Sequence, residues 1–228
     1  MGDFLFYEAI QGGGYEPEVV RIIGEIVKPG HVCVDVGANR GFLTLVMARL
    51  AGHQGTVHAV EPNPDTCRRL EANIVRNRRD HPGMATIIVH PFAALDSDGS
   101  AELFSSRVDA GRDSLQPFET PNGRHVPTRS LDGLLRSESA IDFVKIDVEG
   151  AELSVIRGMH SIIKRSDRMK MILEWNRVYA THALWEEVTA HFDVFRISQG
   201  RDRRPVGQVL SPHELRGIVN LLCVRRPQ

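Results

Sequence analysis

An acidic residue stands directly before a glycine-containing turn near the start of the chain. The stretch VCVDVGANRGFLTL places Asp35 ahead of Gly37 and puts Asn39 between Gly37 and Gly41. A turn that binds a dinucleotide needs a bare glycine in that middle position, so that the backbone can approach the pyrophosphate. Asp35 would also repel an anion at the start of the following helix. The pattern therefore favours a cofactor that carries positive charge and has no phosphate.

S-adenosylmethionine fits this description because it has a sulfonium, an ammonium, a carboxylate and a nucleoside. Gly37 and Gly41 would let the turn pass close to its amino-acid end, and Asn39 is one of the few non-glycine residues that adopt left-handed backbone angles. Asp35 would face or organise the ammonium. Glu61, at the end of the next apolar run, is placed to accept hydrogen bonds from both ribose hydroxyls. In the alternative interpretation, Asp35 caps the turn and Asn39 is an ordinary loop residue.

A second group of charged residues lies in FVKIDVEGAEL, where Lys145, Asp147 and Glu149 occupy alternate positions. Strand periodicity puts all three on one face while the strand lasts, and charges in a buried strand are costly unless they are paired or used. Asp147 falls at the carboxyl end of the strand, where open α/β sheets bind ligands. We predict that Asp147 takes or orients the proton of an acceptor hydroxyl, with Glu149 as the second choice. Alternatively, Lys145 and Asp147 form an ion pair and Glu149 is a first-turn helix acid.

Two further arrangements could contribute to the chemistry. Asp147, Glu174 and Asn176 could converge as oxygen ligands of a magnesium ion, an interpretation that we do not favour. His90 has a pKa range that suits proton transfer, but a lone histidine there is more often structural or packs beside adenine.

Short apolar runs alternate with longer segments of helical periodicity along the chain. This alternation predicts an α/β fold with a mostly parallel seven-stranded sheet, an antiparallel edge strand, and helices on both faces. The predicted strands are HVCVDV, TVHAVE, ATIIVHPFAAL, IDFVKID, MKMILEW, DVFRIS and VNLLCVR. The segment AELSVIRGMHSIIKR is predicted to be a single amphipathic helix. Residues 96–130 are polar and rich in glycine and proline, so we expect an irregular insertion near the acceptor site.

The composition indicates one domain with a small partner. The 228 residues suit a single domain over residues 1–228, with an N-terminal segment and helix at residues 1–29. The 28 Lys+Arg balance 29 Asp+Glu, so we expect no nucleic-acid partner.

The three cysteines, Cys33, Cys67 and Cys223, are typical of buried reduced thiols, which favours the cytoplasm. No apolar run approaches the roughly twenty residues that span a bilayer, so we expect no membrane insertion. A homo-oligomer is compatible with the sequence.

Four segments resemble the FkbM-type S-adenosylmethionine-dependent methyltransferases, in the order and at the spacing of that family. They are VDVGANRGFLTL, AVEPNPDTCRRLEANI, TRSLDGLL and DFVKIDVEGAELSVIRGM. The resemblance runs from about Tyr15 to about Trp175. It implies a class I methyltransferase fold, which is a Rossmann-like three-layer sandwich, and usually the methylation of a hydroxyl on a natural product, glycan or glycolipid.

The resemblance also assigns roles to residues of this chain. It places the cofactor turn on Asp35, Gly37, Ala38, Asn39 and Gly41, the ribose acid on Glu61, and the family signature on Lys145, Asp147, Glu149 and Gly150. The stretch YEPE at Tyr15–Glu18 resembles the family's N-terminal segment that can fold over the cofactor. We count Tyr15, Ala94 and Asp147 among the cofactor-binding residues as well, and Asp147, Glu149 and Lys145 as the catalytic candidates.

Together these observations predict an O-methyltransferase whose acceptor is a hydroxyl of a small-molecule natural product. A sugar hydroxyl on a glycan or glycolipid is the first alternative, and a non-catalytic module that binds S-adenosylmethionine is the second. A nicotinamide-dependent oxidoreductase would require the turn to hold a pyrophosphate despite Asp35 and Asn39.

Overall fold

The computed structural model describes residues 16–105, 113–116, 123–197 and 206–226, and its largest feature is an eight-stranded β-sheet. The strands, in chain order, are β1 (Val32–Val36), β2 (Thr56–Val60), β3 (Thr86–His90), β4 (Ala93–Ala94), β5 (Gly99–Ser105), β6 (Asp113–Ser114), β7 (Arg124–Arg129), β8 (Phe143–Ile146), β9 (Lys170–Asn176), β10 (Phe192–Arg196), β11 (Val206–Gln208) and β12 (Ile218–Arg225). The main sheet has the order β11-β10-β12-β9-β8-β1-β2-β3.

The predicted mostly parallel sheet is confirmed. Strands β3, β2, β1, β8 and β9 are parallel neighbours, so their carboxyl ends meet at one edge. Strand β12 is antiparallel to both β9 and β10, and it lies between them because Leu221, Leu222 and Cys223 are all buried and need cover on both faces. The short strand β11 pairs antiparallel with β10 and adds an eighth strand at that edge.

Helices cover both faces of the main sheet. They are α1 (Pro17–Ile26), α2 (Phe42–Ala51), α3 (Pro64–Asp80), α4 (Leu131–Leu134), α5 (Glu152–Arg157), α6 (His160–Arg165), α7 (His182–Thr189) and a 3₁₀ helix at Pro212–Glu214. Successive residues of β1 point to opposite faces, as strand geometry requires. Cys33 packs in the apolar cluster with α1 and α2, whereas Val34 packs in the cluster with α5, α6 and α7. The result is the expected three-layer sandwich.

The segment predicted as one helix after β8 is two short helices. Helix α5 ends at Arg157 and α6 begins at His160. Gly158 lies so close to the carbonyl oxygen of Leu95 that a side chain there would overlap with it. The carboxylate of Asp132 then accepts hydrogen bonds from the amides of Ser161 and Ile162, at 2.9 and 2.8 Å. These contacts end one helix and cap the next, because first-turn amides have no partner within a helix.

The polar stretch between β3 and β8 is more regular than expected in its described parts. Strands β4, β7, β5 and β6 form a second sheet in that order. Leu103 and Val126 are buried together with Ala93, whereas the preceding Glu102 and His125 are exposed, and this burial stabilises the β5–β7 pair. The predicted strand ATIIVHPFAAL is also divided at Pro91, because proline cannot donate to a ladder. Its last residues leave the main sheet and pair with β7.

Two expectations from composition can be compared with the structure. All three cysteines are buried and free, as predicted. Across the described ranges, none of the helices combines the length and the apolar character needed to cross a membrane.

Candidate active site

The glycine turn after β1 packs against the chain that follows β8. Gly37 has a φ of 80°, and a side chain there would overlap with the carbonyl oxygen of Asp147. The amides of Gly37 and Ala38 both donate to the carbonyl oxygen of Val60, at 3.0 Å. Glycine is therefore required for both its backbone angle and its close approach. The turn is fixed between β2 and β8 at the carboxyl edge of the sheet.

The predicted ribose acid is joined to this turn. Glu61 is buried, and its two carboxylate oxygens accept hydrogen bonds from the amides of Asn39 and Asn63, at 2.9 and 2.8 Å. Asn39 has a φ of 49°, in the left-handed region expected for it. Burial raises the pKa of Glu61 to about 7, and the two amide hydrogen bonds oppose that rise. Each carboxylate oxygen has a second lone pair, so Glu61 can still accept hydrogen bonds from hydroxyls.

Asp35 lies on β1 beneath the turn and is 1% exposed. Its Oδ2 accepts a hydrogen bond of 2.5 Å from Thr44 Oγ1 in the first turn of α2. Its Oδ1 is buried and has no hydrogen-bond partner in the part of the chain that the structure describes. Burial raises the pKa of Asp35, against the opposing effects of Lys145 and the Thr44 hydrogen bond. Asp35 thus supplies a buried carboxylate with one oxygen unused.

Lys145 and Asp147 form an ion pair, as one of the sequence interpretations proposed. Lys145 Nζ donates to Asp147 Oδ2 at 2.9 Å, and the lysine side chain is 6% exposed against 21% for the aspartate. In the strand register, Lys145 lies opposite Asp35. Burial alone would lower the pKa of Lys145, but Asp147, Asp35 and Glu16 outweigh it and hold that pKa above its usual value. The lysine is therefore charged and anchors Asp147 from below.

The chain after Asp147 makes a tight left-handed turn. Glu149 and Gly150 have φ values of 52° and 109°. The carbonyl oxygen of Glu149 accepts a hydrogen bond of 2.6 Å from Ser114 Oγ. Glu152 Oε1 accepts from the amides of Val148 and Gly150, at 3.4 and 3.1 Å. Glu152, rather than Glu149, is consequently the acid in the first turn of α5. Sequence reasoning missed this role, although the acid three residues after Glu149 signals a helix start.

Three carboxylates converge at the ends of β8 and β9. One oxygen each from Asp147, Glu149 and Glu174 lie within 4.8 Å of one another. Burial, together with Asp147 and Glu149, raises the pKa of Glu174 to about 8. Asn176 Oδ1 accepts a hydrogen bond from the amide of Val178, in the turn after β9. An oxygen-ligated divalent ion would need a set of ligands such as these three carboxylates.

The charges in this region fit a cationic cofactor. Buried oxygens of Asp35, Glu16 and Glu174 have no hydrogen-bond partner among the described residues. Burial raises the pKa of Glu16, and Lys145 opposes the rise. Unpaired buried carboxylate oxygens are costly, so they favour a ligand that brings positive charge or hydrogen-bond donors. Beside the turn, the sulfonium and ammonium of S-adenosylmethionine meet that requirement for Asp35, whereas a pyrophosphate does not.

The other predicted site residues are placed as follows. Tyr15 lies outside the described residues. Ala94 is buried in β4 and packs in the apolar cluster that contains Val60 and Phe92. Gly41 is the N-cap residue of α2 and has a φ of 88°, and a side chain there would overlap with Leu70 of α3. Their roles toward the cofactor stay predictions.

His90 belongs to a separate histidine pair. Its Nε2 lies 3.0 Å from His58 Nδ1, the two rings stack at 5.3 Å, and His58 Nε2 lies 3.3 Å from Glu138 Oε1. Burial lowers the pKa of His90 to about 4, and His58 and Arg129 add to that effect. The structure therefore gives His90 a structural partner rather than a place in the carboxylate group.

Comparison with known proteins identifies the family of this chain. The methyltransferase FkbM domain matches residues 35–197, which is well over half of the chain. The hexuronic acid methyltransferase AglP of Haloferax volcanii is 32% identical over 151 residues, which cover 65% of this chain and 58% of AglP. The chain thus spans less than two thirds of the length of this relative.

Solved structures share the fold. The FkbM methyltransferase of Methylobacillus flagellatus KT has a TM-score of 0.53 and 16% identity, covering 90% of this chain and 50% of that chain. The protein SMU.1697c of Streptococcus mutans was solved in complex with S-adenosylhomocysteine (SAH). It has a TM-score of 0.52 and 7% identity, covering 93% of this chain and 98% of that chain. The chain belongs to the FkbM family of S-adenosylmethionine-dependent methyltransferases.

Proposed function

We propose that this chain transfers a methyl group from S-adenosylmethionine to a hydroxyl of a sugar. The sequence placed a natural-product hydroxyl first and a sugar hydroxyl second. The similarity to a hexuronic acid methyltransferase reverses that order. A natural-product alcohol is retained as the second acceptor class, to be separated by experiment.

The observation that carries this proposal is the position of Asp147 between two groups of acids. On one side lie Glu61, which directly follows β2, and Asp35, which lies in β1 just before the glycine turn. On the other side lies Glu174, whose carboxylate is within 4.8 Å of that of Asp147. The acids proposed to bind the cofactor and the acid proposed to face the acceptor therefore lie on opposite sides of Asp147, at the edge where parallel sheets bind ligands.

Each residue then has a role that follows from its surroundings. Glu61 accepts hydrogen bonds from the ribose hydroxyls, and Asp35 compensates positive charge beside the turn. When bound, S-adenosylmethionine supplies an electrophilic methyl group. Asp147 orients the acceptor hydroxyl and takes its proton, and Lys145 holds Asp147 in place through their ion pair. Positioning of this kind and proton transfer are the two contributions that methylation of an ordinary alcohol needs from the protein.

Incubation of the purified chain with S-adenosylmethionine and a panel of acceptors tests the proposal. The panel contains simple methyl glycosides and, as a separate class, polyketide and peptide alcohols. We expect at least one glycoside to be methylated. Its methyl ether should be detected by mass spectrometry, together with the SAH that the cofactor leaves after methyl transfer. Methylation of the natural-product alcohols alone would replace the sugar as acceptor. Tight cofactor binding without any methyl transfer would instead indicate a non-catalytic module.

A further inference from the structure

A cleft of about 420 Å³ opens at the carboxyl edge of the main sheet, next to the carboxylate group. Its polar lining consists of Glu16, Glu18, Glu174 and Asn220, and its apolar lining includes Ile197 and Ile218. A volume of this size lies within the roughly 300–1,000 Å³ of small-molecule sites. The cleft is therefore large enough to hold a sugar ring.

The strand order places this cleft on the acceptor side of the reaction centre. Glu61 follows β2, Asp147 follows β8, and Glu174 lies on β9. Asn220 of β12 is the direct cross-strand neighbour of Glu174. Because neighbouring strands are about 4.8 Å apart, the cleft begins one strand beyond Asp147, on the side away from Glu61. The ribose acid and the cleft thus lie on opposite sides of the carboxylate that would take the proton.

The lining of the cleft has hydrogen-bonding capacity that the described part of the chain does not use. Glu16 Oε2 and Glu174 Oε2 are both buried, and neither has a partner within the described ranges. Hydroxyl groups are donors that would satisfy these oxygens, and the side-chain amide of Asn220 can both donate and accept. Ile197 and Ile218 offer apolar surface to the C–H face of a ring. Polar edges beside an apolar patch match the surface of a sugar.

The charge of the lining restricts which sugar can enter. Glu16, Glu18 and Glu174 are acidic, and the described lining contains no lysine or arginine. A hexuronate would bring a carboxylate into a lining that offers it no described cation, and an unpaired charge in a partly buried site is costly. An acceptor without a carboxylate avoids that cost.

We propose that this cleft binds the methyl acceptor and selects a sugar ring without a carboxylate, through hydroxyl hydrogen bonds to Glu16 and Glu174. The inference rests on the proposed function, which it deepens by naming the acceptor class. It also distinguishes this chain from its relative AglP, whose name specifies a hexuronic acid.

Matched acceptor pairs test this inference. Methyl glucoside, galactoside and mannoside are each compared with the corresponding methyl uronide, which differs only in the carboxylate. The expected result is a kcat/KM at least tenfold higher for the neutral member of the preferred pair. Calorimetry in the presence of SAH should show the same preference in binding, independently of turnover. A preference for the uronide would overturn the inference and leave the proposed function intact, whereas no reaction with any glycoside would overturn the proposed function itself.

Glutamine variants show whether the cleft causes the preference. Glu16→Gln and Glu18→Gln should each lower the ratio of kcat/KM for the neutral sugar to kcat/KM for the uronide, because the new amide can donate to the uronide's carboxylate. Glu18→Gln should be the milder change, because only Glu16 has a buried carboxylate oxygen without a described partner. Glu25 is an exposed acid of α1 that pairs with Arg21, and Glu25→Gln should leave this ratio of kcat/KM values unchanged. If circular dichroism shows that all three variants are folded and all three keep the selectivity of the original chain, another surface sets the preference.

Discussion

Lys145 is a buried cation among acids at the carboxyl edge of the sheet. It donates to Asp147, lies opposite Asp35 in the strand register, and interacts electrostatically with Glu16. One lysine cannot compensate all three carboxylates, and buried oxygens of Asp35 and Glu16 are left without partners in the described chain. This surplus of negative charge explains why the turn suits a cationic cofactor. It also explains why Asp147, the partner of Lys145, is the acid that is fixed in place.

Replacement of Asp147 by asparagine tests its role as the residue that takes the proton. We expect kcat to fall by roughly two orders of magnitude or more, because the amide cannot accept the hydroxyl proton. The affinity for S-adenosylmethionine should be retained, which calorimetry can check. Asp167→Asn, at an exposed position before β9, is the matched control and should leave kcat unchanged. An Asp147→Asn enzyme with normal turnover would remove Asp147 from the mechanism.

The sequence was sufficient to identify residues whose role follows from local pattern. Asp35, Asn39 and Glu61 could be found because a turn between two strands has a fixed spacing, and the contact between Asn39 and Glu61 confirms that they meet. Glu16 and Glu174 could not be assigned to one cleft in this way. They meet through the packing of α1 against β9 and β12, and no local pattern encodes that distance.

At the scale of the elements, the turn after β1 depends on one glycine. In Gly37→Ala, the new methyl group would overlap with the carbonyl oxygen of Asp147, in a backbone conformation that disfavours side chains. We expect a loss of roughly 2 kcal/mol or more in the free energy of unfolding. Gly24→Ala, in the open interior of α1, is the control and should gain roughly 0.5–1 kcal/mol. Urea denaturation measures both, and equal stability of the two variants would contradict this view of the turn.

The histidine pair between β2 and β3 makes stability depend on pH. Burial lowers the pKa of His90 to about 4 in the folded state, against an ordinary value of 6.5, and it also lowers the pKa of His58. Between these pH values the unfolded chain binds more protons at these histidines, so their contribution to the free energy of unfolding falls as the pH falls from about 6.5 to about 4. Glu61 and Glu174 have raised pKa values and act in the opposite direction.

A comparison with His90→Gln isolates this contribution. The stability of the original chain relative to the variant should decline by roughly 1–3 kcal/mol between pH 7 and pH 4, with the partial exposure of His90 reducing the effect. Chemical denaturation at a series of pH values provides the measurement. A difference that does not change with pH would show that His90 titrates as it does in the unfolded chain.

The element boundaries show why periodicity alone was insufficient. The break between α5 and α6 depends on the contact of Gly158 with Leu95, which comes from a distant part of the chain. The pairing of β5 with β7 depends on burial of Leu103 and Val126, which a polar stretch with prolines obscures. Both features are tertiary, so the local pattern predicted a longer helix and an irregular connection.

At the scale of the whole molecule, the order of the strands arranges the site along one edge. The acids proposed to bind the cofactor lie over β2 and β1, Asp147 follows β8, and the cleft lies over β9 and β12. Alternation of apolar runs and helical segments was enough to predict this α/β sheet, because parallel strands joined by helices have few arrangements. The neighbours of β12 were harder to predict, since antiparallel pairing does not follow from the alternation.

The converging acids raise the question of metal dependence for the whole enzyme. Because Lys145 already compensates the charge of Asp147, we expect methyl transfer to continue unchanged after treatment with EDTA. The rate should also be insensitive to added magnesium. Loss of activity with EDTA, followed by recovery with magnesium, would instead assign Asp147, Glu149 and Glu174 to a metal site.

The carboxyl edge of the main sheet should bind a cationic nucleoside rather than a diphosphate. Calorimetric titration of the chain with S-adenosylmethionine, and separately with NAD, tests this claim most directly. We predict saturable binding of S-adenosylmethionine with one site per chain and no measurable binding of NAD. Binding of NAD, or no binding of S-adenosylmethionine to the folded chain, would contradict the account.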